Sequence, residues 1–107
     1  MNSTPVRPVI VVHGGAGTIN RDGADAQQHA AYHAALQAVL APPQELLAKD
    51  GSALDAVTLA VELLEECPLF NAGRGAVFTH DATHELDAAV MDGSTLKAGA
   101  VGCVTRI

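Results

Sequence analysis

Aromatic residues are nearly missing from this chain, which has no tryptophan, one tyrosine and two phenylalanines, 3% in all. A core without rings must be filled by Ala, Val and Leu, and a hydrophobic fraction of 49% supplies them amply. Small, smooth side chains suit layers that pack closely, such as sheets covered by helices. Positive charge is also scarce: 6 Lys and Arg stand against 12 Asp and Glu, for a formal net charge of −6. No basic cluster occurs, so neither nucleic acid nor a membrane surface is expected as a partner. Cysteine is limited to Cys67 and Cys103, which lack C-x-x-C spacing, so two buried thiols are expected rather than a disulfide. Long apolar runs are absent too. Val9 to Val12 is far too short to cross a bilayer, and Met1 to Pro8 lacks a charged n-region leading into an apolar stretch. The expected compartment is the cytoplasm, and 107 residues are enough for one domain but not two.

Within those bounds the chain reads as β, α, α and then several strands. Val9-Ile10-Val11-Val12 is a β-branched run that predicts a buried strand entering the glycine-rich turn His13-Gly14-Gly15-Ala16-Gly17. A helix is predicted from Asp25 to Leu40, interrupted by Pro42-Pro43, with a second helical piece from Gln44 to Ala48. Ser52 and Asp55 have capping-box spacing and open the clearest helix, which carries Leu54, Val57, Val61 and Leu64 as one apolar stripe and stops at Pro68. Ala76 to Phe78 predicts a short strand, and Glu85 to Val90 and Ala98 to Val104 predict two more around an Asp92-Gly93-Ser94 turn. The resulting fold class is α/β (α+β), a layered arrangement.

Two loops carry the chemistry. In His13-Gly14-Gly15-Ala16-Gly17 the missing side chains let backbone N–H groups converge on a negatively charged oxygen, as acyl transfer requires. A tight turn needing φ > 0 explains the same glycines without any ligand. A phosphate-binding P-loop is excluded because no Gly-Lys-Ser/Thr follows, and a Rossmann fingerprint is not matched. The His-Gly-Gly order is similar to an esterase oxyanion loop, but the G-x-S-x-G elbow that such enzymes need is absent. The second loop, Glu65 to Gly75, follows a helix end whose freed carbonyls can bind a cation, with Glu65 and Glu66 adding negative charge. Its Asn71 has both a donor and an acceptor with which to orient a water or a carbonyl. Core plugging by Leu69 and Phe70 is the alternative there.

His13-Gly14-Gly15-Ala16-Gly17, Ser52 to Val57, Asn71 to Phe78, Glu85 to Gly93 and Lys97 to Val101 occur in this order. Together they resemble the N-terminal part of plant-type L-asparaginases, or isoaspartyl peptidases. The resemblance covers most of the chain from Val9 to Val104. It implies an N-terminal-nucleophile hydrolase, an αββα sandwich of which residues 1–107 form the first portion of the α subunit. It further implies hydrolysis of L-asparagine and isoaspartyl dipeptides through an acyl-enzyme, by a threonine freed in self-cleavage whose α-amino group serves as its base. By the same resemblance Gly14 and Gly15 lie near that threonine and Asn71 faces the reaction centre. No cofactor is implied for catalysis. A structural sodium ion is implied, held by the backbone carbonyls of Leu64, Glu65, Cys67, Phe70, Ala72 and Arg74, a hard-cation set.

None of Thr18, Thr58, Thr79, Thr83, Thr95 and Thr105 has the self-cleavage context, so the nucleophile is expected elsewhere. The implied partners are the remaining α-subunit sequence, a threonine-headed β subunit, a small amide substrate and a second such unit in a dimer. The alternative is a catalytically inactive fragment acting as an oligomerising or binding module. His80, Asp81, His84 and Glu85 do not make the H-E-x-x-H of a zincin and are read as a surface turn. His29 and His33 are read as solvent-facing, and Asp87 and Asp92 as turn and strand-end residues rather than catalytic carboxylates.

Overall fold

A computed structural model describes residues 4–16 and 25–106; Gly17 and Thr18 lie outside them. The described part is mixed α/β: two helices, then an antiparallel pair of strands. Helix α1, Ala26–Ala48, begins at Asp25, whose side chain accepts from the Gln28 N–H at 2.7 Å. Pro42 and Pro43 do not interrupt it; the helix runs through both. Each proline removes a donor to the carbonyl four residues back, and burial of the Pro43 ring offsets part of that loss. At its end Asp50 takes the left-handed conformation (φ 62), Asp50 N–H bonds Leu47 O and Gly51 N–H bonds Leu46 O, a Schellman ending.

Helix α2, Ala53–Glu66, is capped by Ser52, whose hydroxyl accepts from Asp55 N–H at 3.0 Å. Its buried face is not the expected Leu and Val stripe. Ala56 and Ala60 are buried, whereas Leu54, Val57 and Val61 are 38–45% exposed and Leu64 is half-buried. Alanines one turn apart let α1 and α2 approach closely, and the bulkier residues turn away from that contact. The core is a small cluster of Val39, Ala60 and Phe70, with Tyr32, Leu36 and Leu63 packed around it. Tyr32 meets Phe70 edge-on at 6.1 Å between centroids, a geometry worth about 0.5–1.5 kcal/mol beyond area burial.

The Val9 to Val12 run is not a strand among the described residues. Ile10 and Val12 pack against the core while Val9 and Val11 are 83% and 85% exposed, so only one side of the segment has found a surface. A ladder needs a second strand beside it. Ala76 to Phe78 likewise forms no strand. Two strands do pair: β1, Leu86–Asp92, and β2, Lys97–Val104, run antiparallel with Asp92 opposite Lys97. They match the two expected strands and carry each further toward the turn. A bulge interrupts the register, because Leu86 faces Val104 while Ala88 faces Val101. Cys103 there has φ 53, and its N–H donates to Asp87 Oδ1 at 2.8 Å, so Asp87 closes the bulge. Cys103 is consequently exposed and Cys67 half-buried, both free, against the expectation of two buried thiols.

Candidate active-site loops

Helix α2 ends at Glu66, with Cys67 as its C-cap and Pro68 just beyond, and the chain then folds back in a series of short bonds. Cys67 N–H reaches Leu64 O, Ala72 N–H reaches Phe70 O at 2.9 Å and Gly75 N–H reaches Ala72 O at 3.0 Å. Gly73–Gly75 forms one turn of 3-10 helix. Two glycines make this curl sterically feasible. At Gly73 (φ 50) a Cβ would stand 2.5 Å from Glu65 O, and at Gly75 it would overlap Phe70 O and stand 2.7 Å from Pro68 O. No other residue fits against those carbonyls.

The residues named for a cation thus fall in one continuous loop. Leu64, Glu65, Cys67, Phe70, Ala72 and Arg74 lie between the last turn of α2 and the 3-10 turn. Backbone carbonyls are neutral hard donors of the kind a monovalent cation takes, and those of Leu64 and Glu65 belong to the last turn of α2, the negative end of its dipole. Leu64, Cys67, Phe70 and Ala72 already accept backbone N–H bonds, and each carbonyl keeps a second lone pair. Burial, then Glu62 and Glu66, push the Glu65 carboxyl above its usual range. Arg74 pairs with Glu66 at 2.6 Å on the surface, which keeps its side chain out of the curl. Such an exposed pair contributes little to stability.

The first glycine loop meets this second loop. A Cβ at Gly14 would stand 2.8 Å from Phe70 Cε1 and 3.6 Å from Leu36 Cδ2. Gly14 is therefore small because Phe70 packs on it. Gly15 has φ 103 and an open flank, and its N–H donates to His13 Nδ1 at 2.9 Å. Conformation accounts for Gly15, contact for Gly14. Next to Phe70, Asn71 accepts the Val77 N–H through Oδ1 at 3.0 Å, and Nδ2 remains its donor. A cleft of roughly 340 Å³ opens beside it, lined by Asn71, Ala72, Val77, Phe78, Thr79 and Asp87.

The remaining sequence candidates have ordinary surroundings. Among the described residues no three His, Cys, Asp or Glu side chains are grouped so as to hold a metal ion. His84 instead stacks on Phe78, with ring centroids 4.4 Å apart, and its Nδ1 is 3.3 Å from Val77 O. His29 and His33 are exposed on α1. The role of Val77 is invisible in the sequence, because a backbone N–H leaves no mark on residue type. His84 stands out there only as a metal candidate; its spacing from Phe78 is the signal for the stack.

These features define a backbone-rich site: a glycine turn, a helix-end carbonyl loop and one amide side chain, joined through Phe70. The family described as Asparaginase matches residues 6–107, and the chain belongs to that family. It is 59% identical over 101 residues to an isoaspartyl peptidase of Escherichia coli (strain K12), covering 94% of this chain and 32% of that protein. With a plant-type L-asparaginase of Pyrococcus abyssi it shares 51% identity over 92 residues, 86% of this chain and 28% of the relative. With an isoaspartyl peptidase/L-asparaginase of Danio rerio it shares 46% over 100 residues, 94% and 31% respectively. The chain spans about a third of the length of these curated relatives. Among the described residues no helix is long and apolar enough to cross a membrane.

Proposed function

We propose that this chain supplies the supporting part of the active site in an amidohydrolase that cleaves L-asparagine and isoaspartyl dipeptides. The observation that carries the reading is the contact of Gly14 with Phe70, which joins the glycine turn to the Asn71 loop in a chain matched to the Asparaginase family over residues 6–107. Gly14 and Gly15 present backbone around the reacting centre, and the Asn71 amide orients a carbonyl or a water. The nucleophile is a threonine released by self-cleavage, whose own amino group accepts its hydroxyl proton. The threonine-headed β subunit carries it, and the rest of the α subunit completes an αββα sandwich, two such units forming the dimer.

A structural sodium ion belongs to the same reading. The carbonyls of Leu64, Glu65, Cys67, Phe70, Ala72 and Arg74 would hold it, bracing the loop that bears Asn71. A hard monovalent cation needs neutral oxygens and no acidic cage. The second reading, a binding or oligomerising module, draws on the apolar groove of roughly 470 Å³ between Val57, Val61, Met91 and Val101.

One experiment separates the two. The full-length protein is purified, its mass spectrum is recorded, and ammonia release from L-asparagine and cleavage of a β-aspartyl dipeptide are followed. Two polypeptides, the second beginning with threonine, and turnover of at least one substrate are expected. A single uncleaved polypeptide that turns over neither would sink the enzyme reading and leave the module.

A further inference from the structure

Val77 carries two bonds that point in opposite directions along the chain. Its N–H donates to Asn71 Oδ1 at 3.0 Å, and its C=O lies 3.3 Å from His84 Nδ1. A carbonyl oxygen only accepts, so Nδ1 must carry the proton in this contact. The same imidazole stacks on Phe78, with an interplanar angle of 28°. His84 therefore holds residues 77 and 78 by a hydrogen bond and by ring contact, on the stretch that fixes the Asn71 amide. His84 is not one of the residues lining the cleft, whereas Asn71, Val77 and Phe78 are.

We propose that His84 is a positioning residue for the hydrolysis, acting on the orientation of the Asn71 amide through the Val77 backbone. The reading rests on Asn71 belonging to the active site. With Oδ1 held by Val77, Nδ2 of Asn71 is the group turned to the substrate, as a donor. Without the His84 contact residues 77–78 can shift, and the amide loses its fixed direction.

The full-length enzyme carries the test. The substitution H84N brings an amide nitrogen to the place of Nδ1, whereas H84Q reaches the place of Nε2, so these two with H84A separate the ring nitrogens. For H84A and H84Q kcat should fall about fivefold, the scale of one net hydrogen bond, while H84N stays within about twofold of wild type. In an N71A background H84A should cause no further loss. Crystal structures provide a readout independent of activity: the Asn71 Oδ1 to Val77 N–H bond is expected to persist in H84N and to break or reorient in H84A.

An unchanged kcat in H84A, or losses from N71A and H84A that multiply, would overturn the proposal. So would an intact Asn71 bond in the H84A crystal structure. If N71A itself leaves turnover untouched, the placement of Asn71 in the site fails instead, and His84 with it as a positioning residue. A protein without activity but with the expected crystal structures would refute the enzyme reading alone.

Discussion

The helix pair and the strand hairpin of this chain are built on opposite terms. Between α1 and α2 the contact is dry: Val39, Ala56, Ala60 and Phe70 are each 5% exposed or less. Along the hairpin Val90, Met91 and Val101 are 44–53% exposed, and its order comes from the ladder, the bulge and the turn. Substitutions of equal chemistry should therefore have unequal effects at the two ends. Gly73 and Gly75 at the packed end face backbone, whereas Gly93 and Gly99 in the hairpin face space.

Phe70→Ala gives the largest effect expected. The ring is the hub at which Tyr32, Leu36 and Gly14 meet, and its loss leaves a cavity at the junction of the two loops. Truncating a buried Phe costs about 3–5 kcal/mol. Urea denaturation of the full-length protein should show that loss, together with weakened turnover. A loss below about 1 kcal/mol would mean that the described core does not carry the packed end.

Next comes a matched pair, Gly75→Ala and Gly99→Ala. At position 75 the new Cβ would overlap the Phe70 carbonyl, whereas at position 99 nothing lies within 4 Å. The first should destabilise by about 1–3 kcal/mol, as overpacking against rigid backbone does. The second should stay within about 0.5 kcal/mol, as unstrained surface changes do. Equal losses in denaturation midpoint would dissolve the comparison between the two regions.

How much of this is legible in the sequence follows the same division. Local signals are readable: the Ser52 cap, the β1 and β2 strands and the turn at Asp92 all depend on residues a few positions apart. Features decided by distant contacts are not. Pro42 and Pro43 read as a break, yet burial of Pro43 keeps the helix whole. The Val57 and Val61 stripe reads as a core face, yet Ala56 and Ala60, each one residue before, are the buried positions of the helix. Val9 to Val12 has the composition of a strand, and composition says nothing of whether a neighbour is there to pair. At the site, the glycines and Asn71 are visible as residue types. The Gly14 contact with Phe70 and the Val77 bond to Asn71 are not, since each joins segments by geometry alone.

The smallest effect belongs to the hairpin turn and tests whether its order is local. Asp92 Oδ1 accepts from the Ser94 hydroxyl at 2.7 Å and from Ser94 N–H at 2.9 Å, and Leu96 N–H closes the turn on Asp92 O. The Ser94 hydroxyl bond, then the backbone bond, hold the Asp92 carboxyl below its usual range. A carboxyl depressed in the folded state stabilises the fold above its unfolded pKa, and that contribution is lost as pH falls through the folded value. Asp92→Asn keeps an acceptor at this atom but cannot titrate. Wild type should therefore exceed D92N in urea midpoint at about pH 6, and the gap should narrow below about pH 4. Packing losses such as that of Phe70→Ala should hold steady over the same range. A gap that stays constant into acid would show that the Asp92 carboxylate contributes nothing to the hairpin, whose order would then rest on the ladder and the Asp87 bulge.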